Sequence, residues 1–323
     1  MHSNRDGLQA APGSATAVNM ASAPRTQQPR LKGPLVWLDM DQQELDDAYD
    51  QVVYAPNRDQ VGKRRAANSE TARAVIGAPE RVSYGQGDIE KIDIYRCRKP
   101  NAPVNIFIHG GAWRANRAAD YAFLAEPFVG AGAHYAIVDF TNVDETGGHL
   151  FPLVEQVRRA VAWVYKNIKD FGGDPNRLYL SSHSSGSHIG GCVVTNDWST
   201  IGLPSNLLKG AMLGSGMYDL KPVRLSKRSR YVKFSDEIEE TLSAQRHIDK
   251  LHTPLILAYG TYETPEFQRQ TRDFYTSVQS AGKPVGLIVG EGYNHFEMLE
   301  TLGNPYGVLG RAVFSQMGLT TRG

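Results

Sequence analysis

The 323-residue sequence predicts an α/β chain: a mainly parallel β-sheet with helices on both faces, entered through an antiparallel hairpin. Three observations carry this. Apolar runs of strand length alternate with helix-patterned segments from residue 105 to 289, the rhythm of a parallel sheet wound between helices. Residues 152–171 place Val154, Val157, Val161, Val164 and Ile168 at three- and four-residue spacing, a stripe that faces a sheet. Residues 81–84 and 91–96 alternate apolar and polar side chains around Gly85, Gly87 and Asp88, which reads as a hairpin.

Taken in order, residues 1–33 are rich in Ala, Ser, Gln, Pro and Arg and lack the apolar stretch of a secretory signal. Such a segment buries too little surface to offset its ordering entropy, so a disordered leader is expected, followed by one domain over 34–323. Residues 41–50 and 59–76 read as short, charge-rich helices packed over one edge of the body. Strands follow at 105–108 and 135–140 with a helix near 121–129 between them. The helix over 152–171 closes at Gly172 and Gly173. Strand 178–181, a helix from Gly186, and strands 210–213, 254–259 and 285–289 complete the sheet. A polar insertion at 218–251, with 34–76, supplies candidate elements of a small cap. There is no internal repeat.

Hydrophobic residues make up 41% and charged residues 21%, enough apolar content to bury a large core. A formal net charge of +1 provides no field for a phosphate backbone or an acidic lipid surface, so the expected partner is a small molecule, with no nucleic acid and no membrane. No apolar run approaches the roughly twenty residues that span a bilayer. Homo-oligomerisation is left open. The two cysteines, Cys97 in a predicted strand and Cys192 in a predicted helix, do not suggest a disulfide framework and fit a reducing, cytoplasmic setting.

A serine hydroxyl needs a base within reach and a turn that exposes it. Residues 178–191, LYLSSHSSGSHIGG, give strand, sharp turn and helix with Ser184 at the apex, the layout of a nucleophile elbow, although Ser182 stands where that pattern has Gly. The bland alternative is Ser184 as a helix N-cap. A second motif, Ile-Phe-Ile-His-Gly-Gly-Ala-Trp-Arg at 106–114, runs a strand into His-Gly-Gly, so the amides of Gly110 and Gly111 with that of Ser185 form an expected oxyanion hole. Together the two motifs point to a serine hydrolase of the α/β-hydrolase fold. The base should follow the last core strand, where His295 stands. For the acid, Glu263, Glu266 and Asp219 all satisfy the chain order Ser, acid, His; Glu263 is favoured because it lies on the loop at a strand's carboxyl end. Trp113, Tyr218 and His149 are candidate substrate-binding residues, each as readily a core or loop residue. No metal site and no cofactor is expected: His183 and His188 are five apart, not four, and no phosphate-binding glycine motif follows a strand. The basic run Lys221, Arg224, Lys227, Arg228, Arg230 and Lys233 is followed by Asp236, Glu237, Glu239 and Glu240. It reads as a self-compensated solvated surface, with a carboxylate-bearing substrate as its best functional use.

From residue 34 onward the sequence resembles the kynurenine formamidases (arylformamidases), on His109-Gly110-Gly111-Ala112-Trp113, on His183 to His188, on GTYETPEFQRQ at 260–270, on Met217-Tyr218-Asp219-Leu220 and on His295-Phe296-Glu297. The resemblance implies Ser184 as nucleophile, His295 as base and Glu263 as acid, at a position where the family usually holds Asp. It also implies hydrolysis of an N-formyl or N-acyl aromatic amine through an acyl-enzyme. A carboxylesterase for small esters is the alternative within the fold, and a non-catalytic ligand receptor the remote one.

Overall fold

A strand made almost wholly of apolar side chains has to be covered on both faces, and this requirement organises the sheet. In the computed structural model, which describes residues 31–320, the strand Ala102–Ile108 is buried at all seven positions. Its Val104, Ile106 and Ile108 enter one core while Phe107 enters the other. The strand His134–Val138 divides in the same way, with Ala136 and Val138 on one side and Tyr135 and Ile137 on the other.

In chain order the strands are β1 (Leu35–Trp37), β2 (Met40–Asp41), β3 (Glu80–Ser83), β4 (Lys91–Tyr95), β5 (Ala102–Ile108), β6 (His134–Val138), β7 (Gly173–His183), β8 (Leu208–Gly214), β9 (Leu255–Gly260) and β10 (Val285–Gly290). β1 and β2 form a small ribbon of their own. The other eight make one sheet in the order β10-β9-β8-β7-β5-β6-β4-β3, antiparallel at β3–β4 and β4–β6 and parallel elsewhere. This is the α/β-hydrolase architecture, with its antiparallel entry.

The helices are α1 (Gln42–Ala48), α2 (Gln51–Tyr54), α3 (Arg58–Ile76), α4 (Ala125–Gly130), α5 (Phe151–Asn167), α6 (Ser185–Val194), α7 (Leu220–Leu225), α8 (Asp236–Thr241), α9 (Pro265–Ser280), α10 (His295–Glu300) and α11 (Val308–Met317). One core takes helical side chains from α5, α6 and α9 and from the smaller α1, α7 and α8, the other from α4, α10 and α11. The expected stripe is buried at Val154, Val157, Val161 and Val164 of α5 and at Ile168 just beyond it, each worth about 1.5–3 kcal/mol of apolar transfer. The helix ends sooner than the sequence suggests: a 3-10 turn, Ile168–Phe171, leads to Gly172 in the left-handed region at φ 85°.

Two local expectations need correction. Residues 59–76 are not a set of short helices but lie in the 19-residue α3 (Arg58–Ile76), which contains no proline and only one glycine, Gly62. Cys97 lies two residues beyond β4 and not in a strand; both it and Cys192 are free thiols. The first thirty residues of the expected leader lie outside the described residues. Among the described residues no helix is long and apolar enough to cross a membrane.

Truncating the fully buried Leu153 to Ala should cost about 2–5 kcal/mol in chemical denaturation. Val75→Ala, at a side chain 63% exposed on α3, should stay within about 0.5 kcal/mol of the parent.

Candidate active site

The parallel strands deliver their carboxyl ends to one edge, and four segments that leave there converge. β7 passes directly into α6, and Ser184 is the residue between them, at φ 60° and ψ −130°. A non-glycine residue with positive φ is strained, and here the turn holds its hydroxyl away from the helix. Ser184 does occupy the N-cap position of α6, but its side chain makes no capping hydrogen bond. Its Oγ–H instead donates to His295 Nε2 at 2.8 Å.

Ser182, in the place of the elbow's usual glycine, is accommodated from across the turn. A Cβ on Gly190 would lie 2.8 Å from Ser182 Oγ and 3.3 Å from its Cβ, so the side chain missing from α6 is the space the serine fills. Ser182 Oγ lies 2.9 Å from Ser187 Oγ, whose hydroxyl donates to the Gly214 carbonyl at 2.8 Å. The polar atoms introduced by the serine are thereby satisfied.

His295 opens α10, just beyond β10, behind the N-cap Asn294. Its Nδ1–H donates to Glu263 Oε2 at 2.7 Å. Glu263, on the turn between β9 and α9, also accepts from Ser215 Oγ at 2.6 Å, the Gly260 amide at 2.8 Å and Gln51 Nε2 at 3.3 Å. The other carboxylates considered for this place are engaged elsewhere. Asp219 caps α7 through the Lys221 amide and pairs with Arg246, while Glu266 accepts from Tyr49 and Arg269. Burial pushes the Glu263 carboxyl up to about 7, against its hydrogen-bond donors. Burial, with the cations of Arg65 and Arg228 nearby, holds the His295 imidazole well below the usual histidine range, so it is neutral and able to accept a proton.

The loop after β5 brings Gly110 against the elbow: a Cβ there would sit 2.9 Å from the Ser184 Cβ and from the His183 carbonyl. Ala112 and Trp113 have φ of 55° and 63°, a strained stretch pinned when the Trp113 amide donates to Ser185 Oγ at 3.1 Å. Ser185 is the first residue of α6, so its own N–H is one that no helical carbonyl takes. Gly110, Gly111, Ser184 and His295 border one cavity of about 310 Å³, whose outer wall comes from residues 49–52, Arg58 and Arg65 and from Lys227, Arg228 and Tyr231.

The three expected substrate-binding residues are not in that wall. Trp113 is buried behind it, its Nε1–H donating to His188 Nδ1 at 3.2 Å, while His188 Nε2–H donates to the Leu242 carbonyl. Tyr218 is fully buried, stacked on Phe274 at 4.4 Å. His149 lies on an exposed loop. In their stead stand Gln51 and Arg65, which no motif marks, and His183 of the elbow, whose ring centroid is 4.5 Å from that of His295; Ser215, also unmarked, reaches Glu263 from outside the wall. The basic run is compensated as expected at Arg224, by Asp236 and Glu239, but Lys227 and Arg230 pair with Asp50 and Asp46, and Arg228 turns inward at 6% exposure.

Comparison with known proteins adds an independent line. A family model described as BD-FAE matches residues 92–200, the stretch holding both glycine-bearing loops. Kynurenine formamidase of Danio rerio is 29% identical over 295 residues, spanning 87% of this chain and 98% of that protein. Esterase LipC of Mycobacterium tuberculosis is 26% identical over 247 residues, spanning 68% of this chain and 60% of that one. Among solved structures, an esterase of Pyrobaculum calidifontis shares the fold with a TM-score of 0.67 over 86% of this chain and 97% of its own, at 17% identity.

The packing of Ser182 against Gly190 makes the two positions interdependent. Gly190→Ala should lower the melting temperature, and adding Ser182→Gly to the same chain should recover part of the loss. Additive effects in the double variant would contradict the contact.

Proposed function

We propose that this chain, a hydrolase of the α/β-hydrolase fold with a kynurenine formamidase-like sequence, cleaves the N-formyl or N-acyl bond of an aromatic amine through a Ser184 acyl-enzyme. The observation that carries the reading is the unbroken chain of hydrogen bonds Ser184–His295–Glu263 at 2.8 and 2.7 Å beside the glycine loop. As Ser184 Oγ attacks the acyl carbon, its proton passes to His295 Nε2. The imidazolium that forms is balanced by Glu263. The oxygen that becomes negative is received by the amides of Gly110, Gly111 and Ser185, each such donor contributing about 2.7–4 kcal/mol to barrier lowering. His295 then protonates the departing aryl amine, and water repeats the sequence to release the carboxylic acid. The sequence relatives named formamidase favour the amide; esters share the same steps. The two free thiols fit a cytoplasmic setting for this chemistry.

Purified protein should turn over N-formylkynurenine or N-acetylanthranilate as well as p-nitrophenyl acetate. Ester turnover with no amide turnover would sink the amide reading and leave the esterase. Ser184→Ala should abolish whichever activity is found. In a comparison of Glu263→Gln with Asp219→Asn, kcat should fall by orders of magnitude in the first and little in the second; the reverse order would move the acid to Asp219.

The pH dependence follows from the same carboxylate. Glu263 must be ionised to balance the imidazolium, and its carboxyl is raised to about 7, whereas His295 is already neutral there. Activity should therefore be lost as pH falls through that value, with kcat/KM about tenfold lower at pH 6 than at pH 8. A flat profile over that range would remove Glu263 from the role.

A further inference from the structure

The wall of the cavity is unusual in its charge. Arg228 is 6% exposed, with its guanidinium over the rings of Trp113 at 5.4 Å and Phe267 at 5.9 Å. Among the described residues two of its five N–H groups are used, on Tyr231 Oη at 2.8 Å and the Tyr49 carbonyl at 3.0 Å, and its buried Nε has no partner. Arg65 donates to the Phe296 carbonyl, and its buried Nε likewise has no partner among the described residues. Among the described residues neither arginine forms an ion pair, since the carboxylates around them are taken: Glu300 by Arg64, Asp50 by Lys227 and Asp46 by Arg230. A buried cation without a counter-ion is costly, and the cost is relieved when an anion arrives. Nothing comparable is available for a positive group. Asp50 is the single carboxylate in the wall among the described residues, and it is held by Lys227 and by the Val52 amide.

We propose that this cavity selects aromatic substrates that carry one carboxylate and no ammonium group, with Arg228 and Arg65 as the residues that bind the anion. The proposal rests on the cavity being the hydrolytic site. The guanidinium fork matches a carboxylate in geometry and charge, and the tyrosines and Phe296 around it suit an aryl ring. A zwitterionic amino acid such as N-formylkynurenine satisfies the arginines but brings an ammonium that meets further cations. An N-acylated aminobenzoate satisfies the arginines and brings none.

Equilibrium binding, which needs no turnover, tests this apart from the hydrolytic reading. The full chain is titrated by calorimetry with anthranilate as the anion, aniline as the neutral ring and kynurenine as the zwitterion. Anthranilate should bind tighter than either by about tenfold or more, the worth of one charge-assisted hydrogen bond. Arg228→Gln and Arg65→Gln should each erode that preference, and Arg228→Lys, which keeps the charge, should retain part of it; circular dichroism identifies a variant that has unfolded. Equal affinity for the three compounds, absence of saturable anthranilate binding, or a preference that survives removal of both arginines overturns the proposal. Anthranilate selectivity without turnover of any ester or amide would leave the anion site standing and remove the hydrolytic reading. Turnover without selectivity would do the opposite.

Discussion

A carboxylate cannot be buried in a protein unless donors surround it, and Glu263 is where this fold meets that demand. Its four donors come from four places: Ser215 at the end of β8, Gly260 at the end of β9, His295 beyond β10 and Gln51 in α2. Each sits where it does because the parallel strands end at one edge of the sheet, with the α2 segment folded over that edge. The arrangement of the site is thus a consequence of satisfying one group. The same burial that makes the donors necessary also raises the proton affinity of the carboxyl, so the group sits near the midpoint of its ionisation in neutral solution.

On the other side of His295 the constraint is steric. Ser184, Ala112 and Trp113 all have positive φ without being glycine, a concentration of backbone strain within one small region. The strain is held by short polar links: the Ser184 amide donates to the Gly214 carbonyl, the Trp113 amide to Ser185, and the Trp113 indole to His188. His188 is kept neutral by burial, its imidazole lowered to about 4, which lets one ring nitrogen accept from Trp113 while the other donates to Leu242. Trp113 therefore works as a strut beneath the loop and not as a wall of the cavity.

The order of strands and helices was legible in the sequence because burial on both faces leaves uninterrupted apolar runs, and α5 announces itself by its stripe. Ser184, Gly110 and Gly111 were legible because a strained turn and a close backbone approach require particular residues in a fixed local order, and His295 because it stands just after the last core strand. Gln51 and Ser215 were not, since hydrogen-bonding a carboxylate 212 and 48 positions away leaves no local pattern. Arg228 was visible but misread. In a run of six cations its neighbours do face acids, and only the path of the chain between α7 and α8 turns this one inward. Trp113 and Tyr218 failed as wall residues for a related reason: an aromatic side chain near a motif serves a core and a pocket equally well, and sequence does not record which face it presents.

One of the donors to Glu263 differs in kind from the others. Ser215 and Gly260 belong to the sheet edge, whereas Gln51 belongs to the segment that also walls the cavity, and its own Oε1 accepts from the Thr264 amide next door. The segment is tied down by the pair of Asp50 with Lys227, across 177 positions of chain. Moving the roof and withdrawing a donor from the buried acid are one and the same displacement. Loss of the Gln51 donor would leave the Glu263 carboxyl still easier to protonate, so the position of this wall segment and the ionisation of the buried acid are linked.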